Sequence, residues 1–249
     1  GLLGTETLFT SVACGENQSV KAMLWDSMEA MCPLTKSELF DSTLTPLWLP
    51  SIFASGAVLQ RDAALPIWGK ASTGSRVTVS LDGKVYHATA DRGGNWSVTA
   101  KPIALSDTPY TLSVETDTGE QLVYSELLAG DVWLCGGQSN MEFQLYKTTN
   151  AQADIANANY SKIRLFNQSK WGSERESDDV KNGLWSVCSP DTVSNFSAIG
   201  YLFGKELHQE LQVPIGMINA SYGGAYAESF TSLEALAASN LAHRTGLTF

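Results

Sequence analysis

DVWLCGGQSNMEFQL, residues 131–145, joins an apolar run to two glycines, a serine and a helix-like stretch. Continuous apolar runs of this kind are typical of strands that a parallel sheet buries on both faces. The run therefore predicts the first parallel strand of an α/β domain, with Ser139 on the turn that follows it. Ser139 is then either a nucleophile raised on a strand-to-helix turn or only the cap of the next helix.

Strand and helix patterns alternate downstream of this stretch. The sequence predicts a strand at 163–166, a helix at 198–211, a strand at 213–220 and a last helix at 232–239. Such alternation is typical of a parallel sheet with helices on both faces, and we assign residues 128–249 to this α/β domain. Ligands of these sheets bind at the carboxyl ends of the strands, where both Ser139 and the Gly223-Gly224 pair fall.

Residues 47–127 have a different pattern, with short alternating runs separated by turn residues. Asp82-Gly83 between VTVSL and KVYHATA is a strong hairpin signal, because glycine adopts the positive φ that a tight primed turn needs. We interpret this part as a small all-β sandwich. Residues 1–46 carry no pattern to which we can attach a structure or a chemistry.

Composition narrows the class of partner. The 16 basic and 26 acidic side chains give a formal net charge of −10, which excludes a nucleic acid as the expected partner. A neutral or cationic small molecule or a glycan fits this charge better. The four cysteines have neither the spacing of a zinc site nor the number of a disulfide scaffold, so we expect core or loop thiols.

Targeting and membrane signals are weak in the sequence. No apolar run reaches the ~18 residues of a membrane span, so no membrane partner is expected. The first fifteen residues contain no Lys or Arg and place Glu6 inside the one apolar candidate, so they do not form a signal peptide pattern. The sequence leaves both the compartment and the oligomeric state open.

Two hypotheses compete for Ser139. The tetrapeptide Ser139-Asn140-Met141-Glu142 fits a capping box, in which the serine oxygen and the glutamate satisfy the first helical amides. A helix cap at Ser139, however, does not require glycine at positions 136 and 137. A nucleophile on a sharp turn needs glycines there so that the chain can bend and a substrate can approach.

The Gly223-Gly224 pair also allows two interpretations. After a buried strand it is an ordinary strand-to-helix turn. Its amides could equally point at the oxyanion that develops during acyl transfer, and each such donor typically contributes about 2.7–4 kcal/mol to catalysis. Because both glycine turns fall on the same edge of one parallel sheet, each makes the functional interpretation of the other stronger.

The residues now support a family assignment. GDVWLCGGQSNMEF resembles the nucleophile block of the sialate O-acetylesterase-like branch of the SGNH (GDSL-type) hydrolases, and VPIGMINASYGGAYAESF resembles its second glycine block. The resemblance begins at Leu49 and covers about 200 residues. It implies a flavodoxin-like α/β/α SGNH domain, incomplete at its carboxyl end and preceded by the β-sandwich.

The same resemblance assigns roles to individual residues. It implies that Ser139 is the nucleophile, that Gly223 and Gly224 supply oxyanion donors, and that Gln138 and Asn140 contact substrate. It implies no metal and no organic cofactor. The expected reaction is removal of O-acetyl groups from sialic acid or a related glycan, and the complete protein would then be secreted, periplasmic or lysosomal.

The chain also departs from the family pattern. Gly136 replaces the usual Ser, Ala225 a common Thr and Phe230 a common Trp. The Asp-x-x-His block of the family is absent, because His87, His208 and His243 are preceded at three positions by Lys84, Lys205 and Asn240. A serine needs such a base to react, so we expect this chain alone to be inactive. An acetylxylan esterase and a non-catalytic glycan-binding fragment are the two alternatives.

Overall fold

The computed structural model describes residues 23–26, 30–33, 45–170 and 177–238. The strands are β1 Met23–Asp26, β2 Ala30–Pro33, β3 Val58–Gln60, β4 Leu65–Lys70, β5 Arg76–Leu81, β6 Lys84–Thr89, β7 Asn95–Ala100, β8 Tyr110–Thr116, β9 Gln121–Gly137, β10 Tyr160–Asn167, β11 Leu184–Cys188 and β12 Ile215–Ser221. The α-helices are α1 Ser139–Glu142, α2 Ala151–Ala156, α3 Pro190–Val193, α4 Ala198–Leu211 and α5 Leu233–Ala238. Leu145–Lys147 and Ala227–Phe230 form 3₁₀ turns.

The predicted hairpin at Asp82-Gly83 is confirmed. Strands β5 and β6 pair antiparallel with Leu81 opposite Lys84. The two residues between them have φ values of 53° and 67°, as a two-residue turn that matches the twist of the strands requires. Strand β5 also pairs with β8, so this part of the chain is an antiparallel sheet.

A second pair of strands, β4 and β7, packs against that sheet. Every second residue of β4 and β7 is buried, including Ile67 and Val98. These side chains share a core with Val79 and Val114 of the antiparallel sheet. The alternation of buried and exposed positions therefore places one face of the β4–β7 pair in the core and leaves the other face in solvent.

Strand β9 joins the two halves of the molecule. Its first part pairs antiparallel with β8, and residues 131–137 pair parallel with β12. The result is one mixed eight-stranded sheet with the order β11-β10-β12-β9-β8-β5-β6, and β3 pairs with the middle of β9. The domain boundary that we place between residues 127 and 128 thus falls inside a continuous strand.

The DVWLC run forms the predicted parallel strand, but its burial on both faces was wrong. Cys135 is buried against Gly200 of α4. In contrast, Leu134 is 70% exposed and Trp133 is 43% exposed. Within the described residues, residues 131–137 have a strand partner on the β12 side only, and no element covers Leu134.

The structure also bears on the predicted core thiols and on the membrane-span prediction. Cys135 and Cys188 are free and buried, which confirms core thiols at those positions, and burial raises the pKa of Cys188 to about 12. Cys14 lies outside the described residues. No helix in the described part of the chain combines the length and apolarity that crossing a membrane requires.

Candidate active site

Ser139 is the first residue of α1, directly after β9. It is exposed. Gly137, two residues earlier, has a φ of 137°, a conformation that favours glycine over residues with a side chain. Only Gln138 separates the end of β9 from the start of α1, so Ser139 lies on a tight strand-to-helix turn.

The capping-box alternative does not match the structure. Gln138 occupies the N-cap position, and no side chain caps this end of α1. The carboxylate of Glu142, which a capping box would turn back towards its own helix, accepts a hydrogen bond from the amide of Gly223 instead. The hydroxyl of Ser139 is consequently not used to stabilise the helix.

The second glycine turn lies beside the first. Strand β12 ends at Ser221, which is paired with Gly137. The amide of Tyr222 then donates to the carbonyl of Gly137 at 2.9 Å. Gly224 has a φ of 84°, which again favours glycine. The structure thus brings together the two turns that the sequence places on one edge of the sheet.

Glu142 connects these two turns. Besides the Gly223 amide, its carboxylate binds the ammonium group of Lys170, which follows β10. The ion pair with Lys170, together with the Gly223 hydrogen bond, lowers the pKa of Glu142 below its ordinary value. The Gly223 amide is therefore already engaged by the Glu142 carboxylate.

Sequence reasoning missed Glu142 as a contact and Lys170 altogether. Glu142 belongs to the same sequence block as Ser139. Its contact with Gly223 could not be predicted from that block, because the two residues are 81 positions apart in the sequence. Lys170 comes shortly after the end of β10, and the carboxyl-end rule for parallel sheets could have found it.

A small polar network occupies the same edge of the sheet. The amide of Asn219 donates to Asn167 at 3.3 Å, which links the ends of β12 and β10. The hydroxyl of Ser221 donates to the side-chain carbonyl oxygen of Asn219 at 2.6 Å. These side chains hold the ends of two neighbouring strands in register next to the glycine turns.

The two remaining predicted site residues flank Ser139. Gln138 and Asn140 are both exposed. The carbonyl of Gln138 accepts the amide of Glu142 at 2.9 Å, and this bond closes the turn of α1. Their side chains are free to contact a ligand, and their role in substrate binding stays a prediction.

The described histidines do not reach Ser139. His208 donates from Nδ1 to the carbonyl of Val213 at 2.7 Å, just before β12 begins, so it lies at the amino edge of the sheet. The length of β12 separates that edge from the Ser139 turn, which is about 20 Å for a strand of this size. Its hydrogen bond and its packing on Tyr160 half-bury His208.

His87 lies on β6, at the far side of the eight-stranded sheet. Its Nδ1 is 3.3 Å from the hydroxyl of Thr78, and the side chain is exposed. His243 lies outside the described residues. In the part of the chain that the structure describes, no imidazole therefore lies beside the Ser139 turn.

The Glu142 contact predicts a pH-dependent stability. We expect Glu142→Gln to lower the free energy of unfolding at pH 7 by about 1.5 kcal/mol, because a charged hydrogen bond becomes a neutral one. Since folding lowers the pKa of Glu142, its contribution is present at neutral pH and is lost as the pH falls below about 4.5. Urea unfolding of both proteins at neutral and acidic pH measures the difference.

Glu206→Gln is the matched control, because Glu206 is an exposed glutamate of α4 away from the glycine turns. We expect no more than a few tenths of a kcal/mol from that change. An equal loss in both variants, or a loss in Glu142→Gln that persists at acidic pH, would contradict the role of the carboxylate.

Comparison with known proteins relates the chain to esterases. The sialate O-acetylesterase of Mus musculus is 33% identical over 199 residues, and that of Homo sapiens is 31% identical over 200 residues. Each alignment covers 73% of this chain, and the chain spans about 37–38% of the length of these relatives. No family profile matches the sequence.

A solved structure agrees with these relatives. A carbohydrate acetylesterase from Xanthomonas citri superimposes with a TM-score of 0.71 at 38% identity, over 76% of this chain and 43% of that one. The chain has the same mixed α/β fold as this acetylesterase in the shared region. Over about three quarters of its length, the chain is therefore similar to the sialate O-acetylesterases and to a carbohydrate acetylesterase.

Proposed function

We propose that this chain carries the nucleophile half of a serine esterase that removes O-acetyl groups from a glycan. The observation that carries the proposal is the junction of the two glycine turns. An exposed Ser139 hydroxyl that caps no helix lies on the turn that Tyr222 fastens to the Gly223-Gly224 turn. In this proposal residues 128–249 are part of a flavodoxin-like SGNH domain, and residues 47–127 are a β-sandwich.

The proposed reaction proceeds in two acyl transfers. The Ser139 oxygen attacks the acetyl carbonyl while a base takes its proton, and the amides of Ser139 and Gly224 stabilise the oxyanion. Collapse of this intermediate breaks the ester bond, and the sugar oxygen leaves with the proton. Water then attacks the acetyl-serine, acetate departs and Ser139 regains its proton.

Gly223 has a positioning role in this scheme. Its amide is held by Glu142, so it fixes the second turn against α1 rather than facing the acetyl group. An added Cβ at Gly223 would lie 2.6 Å from the Glu142 carboxylate, so the carboxylate would have to move. Gly224 is then the donor of the pair that remains available to the oxyanion.

The base is the part of the machinery that the described residues do not supply. We infer that an Asp-x-x-His block, in the portion of the relatives that this chain does not span, completes the triad. The relatives are named as sialate O-acetylesterases and the structural neighbour as a carbohydrate acetylesterase. An O-acetylated glycan is the substrate class common to both names.

Two alternatives follow from specific observations. The same blocks resemble acetylxylan esterases, which would place the acetyl group on a neutral polysaccharide rather than on sialic acid. The absence of a described histidine near Ser139 favours a non-catalytic glycan-binding fragment instead. In both alternatives the partner is still an acetylated glycan.

The test measures acetate released from O-acetylated sialic acid and from acetylated xylan, with the protein extended to the length of its curated relatives. Faster release from one substrate assigns the sugar, and covalent labelling of Ser139 by a fluorophosphonate supports the enzyme. Glycan binding without acetate release or labelling would leave only the non-catalytic fragment.

A further inference from the structure

An open groove lies on the solvent face of the β4–β7 pair, in the half of the molecule that does not contain Ser139. The groove measures about 690 Å³. Trp68 projects on this face, and Ser97 is its direct cross-strand neighbour. Lys70 and Asn95, the next such pair, stand on the same face and also line the groove.

Tryptophan gives the groove an apolar wall. Trp68 is 42% exposed and is braced edge-on by Phe53, with 4.9 Å between ring centroids. Trp48 and Trp96 also line the groove, beside Gly69. An added Cβ at Gly69 would lie 2.1 Å from the Trp48 carbonyl and 2.8 Å from the Trp96 ring, so the glycine permits this close packing. Trp68 therefore presents its ring to solvent, Trp48 is partly exposed beside it, and the buried Trp96 supports them from the core side.

The charged side chains that line the groove already have ion-pair or hydrogen-bond partners within the protein. Lys70 forms an ion pair with Asp178 at the rim. Asp91 accepts hydrogen bonds from the amides of Gly93 and Asn95, both at 2.8 Å, and the Asn95 bond lowers its pKa. No unpaired cation among the described lining residues is available to hold an anion, and the whole chain carries a formal charge of −10.

We propose that this groove binds a neutral polysaccharide chain. Sugar rings present an apolar face and an edge of hydroxyl groups, and an exposed tryptophan beside serine and asparagine side chains complements both. A sialylated or otherwise anionic glycan would meet the Asp91 carboxylate without a compensating cation. The groove therefore selects an uncharged polymer.

The groove also lies within reach of the Ser139 edge. Lys170 binds Glu142 at that edge, and Asp178 binds Lys70 at the groove. Eight residues of chain span at most about 28 Å, which bounds the distance between the two α-carbons. The further role of the groove rests on the proposed function: a polymer of several sugar units that is bound there is long enough to reach the Ser139 edge.

Binding is tested with the 249-residue chain carrying Ser139→Ala, so that no ester is cleaved. Affinity electrophoresis in gels containing deacetylated xylan, hydroxyethyl cellulose or galactomannan measures the retardation by each neutral polymer. We expect retardation by at least one of them. Trp68→Ala should weaken that retardation at least about tenfold, as for an aromatic residue at the centre of an interface.

Trp133→Ala is the matched control, because Trp133 is 43% exposed and also packs edge-on against a phenylalanine, at 5.0 Å. We expect it to keep the retardation within twofold, and circular dichroism checks that both variants are folded. Retardation by none of the three polymers, equal loss in both variants, or stronger retardation by polysialic acid would overturn the proposal. Because no ester is present, failure here leaves the proposed esterase function intact.

Discussion

Ser139→Ala, in the protein extended to the length of its curated relatives, is expected to lower kcat for acetate release on the order of 10⁴- to 10⁶-fold. The Ser139 hydroxyl is exposed on the turn after β9 and is not used as a helix cap. Its loss therefore removes the nucleophile without removing a structural contact. Acetate release from an aryl acetate gives the rate, and thermal unfolding gives the stability.

The stability measurement separates the two hypotheses for Ser139. If Ser139 were a cap, its replacement by alanine would cost about 1 kcal/mol of stability and leave kcat intact. We expect the opposite pattern. Ser161→Ala is the control, because Ser161 is an exposed serine of β10, distant from both glycine turns in sequence. A Ser139→Ala protein with undiminished turnover would overturn the assignment of the nucleophile.

Local patterns were sufficient to predict the elements that frame the site. The Asp82-Gly83 turn, helix α4 and the parallel strand that leads to Ser139 all follow from periodicity and turn chemistry over short windows. The meeting of the two glycine turns follows from a rule about sheets rather than from any single residue. These predictions succeed because the information they need lies within a few residues of each element.

Contacts between segments that are distant in the sequence could not be predicted from such local patterns. The bond from Gly223 to Glu142 joins residues 81 positions apart, and it engages the amide of one of the two glycines that the sequence predicts as oxyanion donors. The exposure of Leu134 depends on what lies beside β9, which the run DVWLC cannot indicate. The groove around Trp68 likewise depends on Asp178, which is 108 residues from its ion-pair partner Lys70.

The exposure of β9 leads to the second large expected effect. Residues 131–137 present an unpaired edge within the described residues, next to exposed Leu134. An unpaired apolar edge invites additional strands, and without them the Ser139 turn loses support on that side. Among the described residues, neither a base near Ser139 nor a second strand partner for residues 131–137 is present.

We therefore expect the 249-residue chain to release acetate from an aryl acetate about 10⁴-fold or more slowly than the extended protein. A triad without its histidine keeps only the catalysis that its oxyanion donors and binding provide, roughly 10³- to 10⁴-fold over water. Ser139→Ala should change this residual rate little, because an unactivated hydroxyl contributes little to it. Turnover by the short chain that equals the extended protein would show that the base lies within it. His243→Ala would then be the decisive variant, since His87 and His208 lie away from the Ser139 turn.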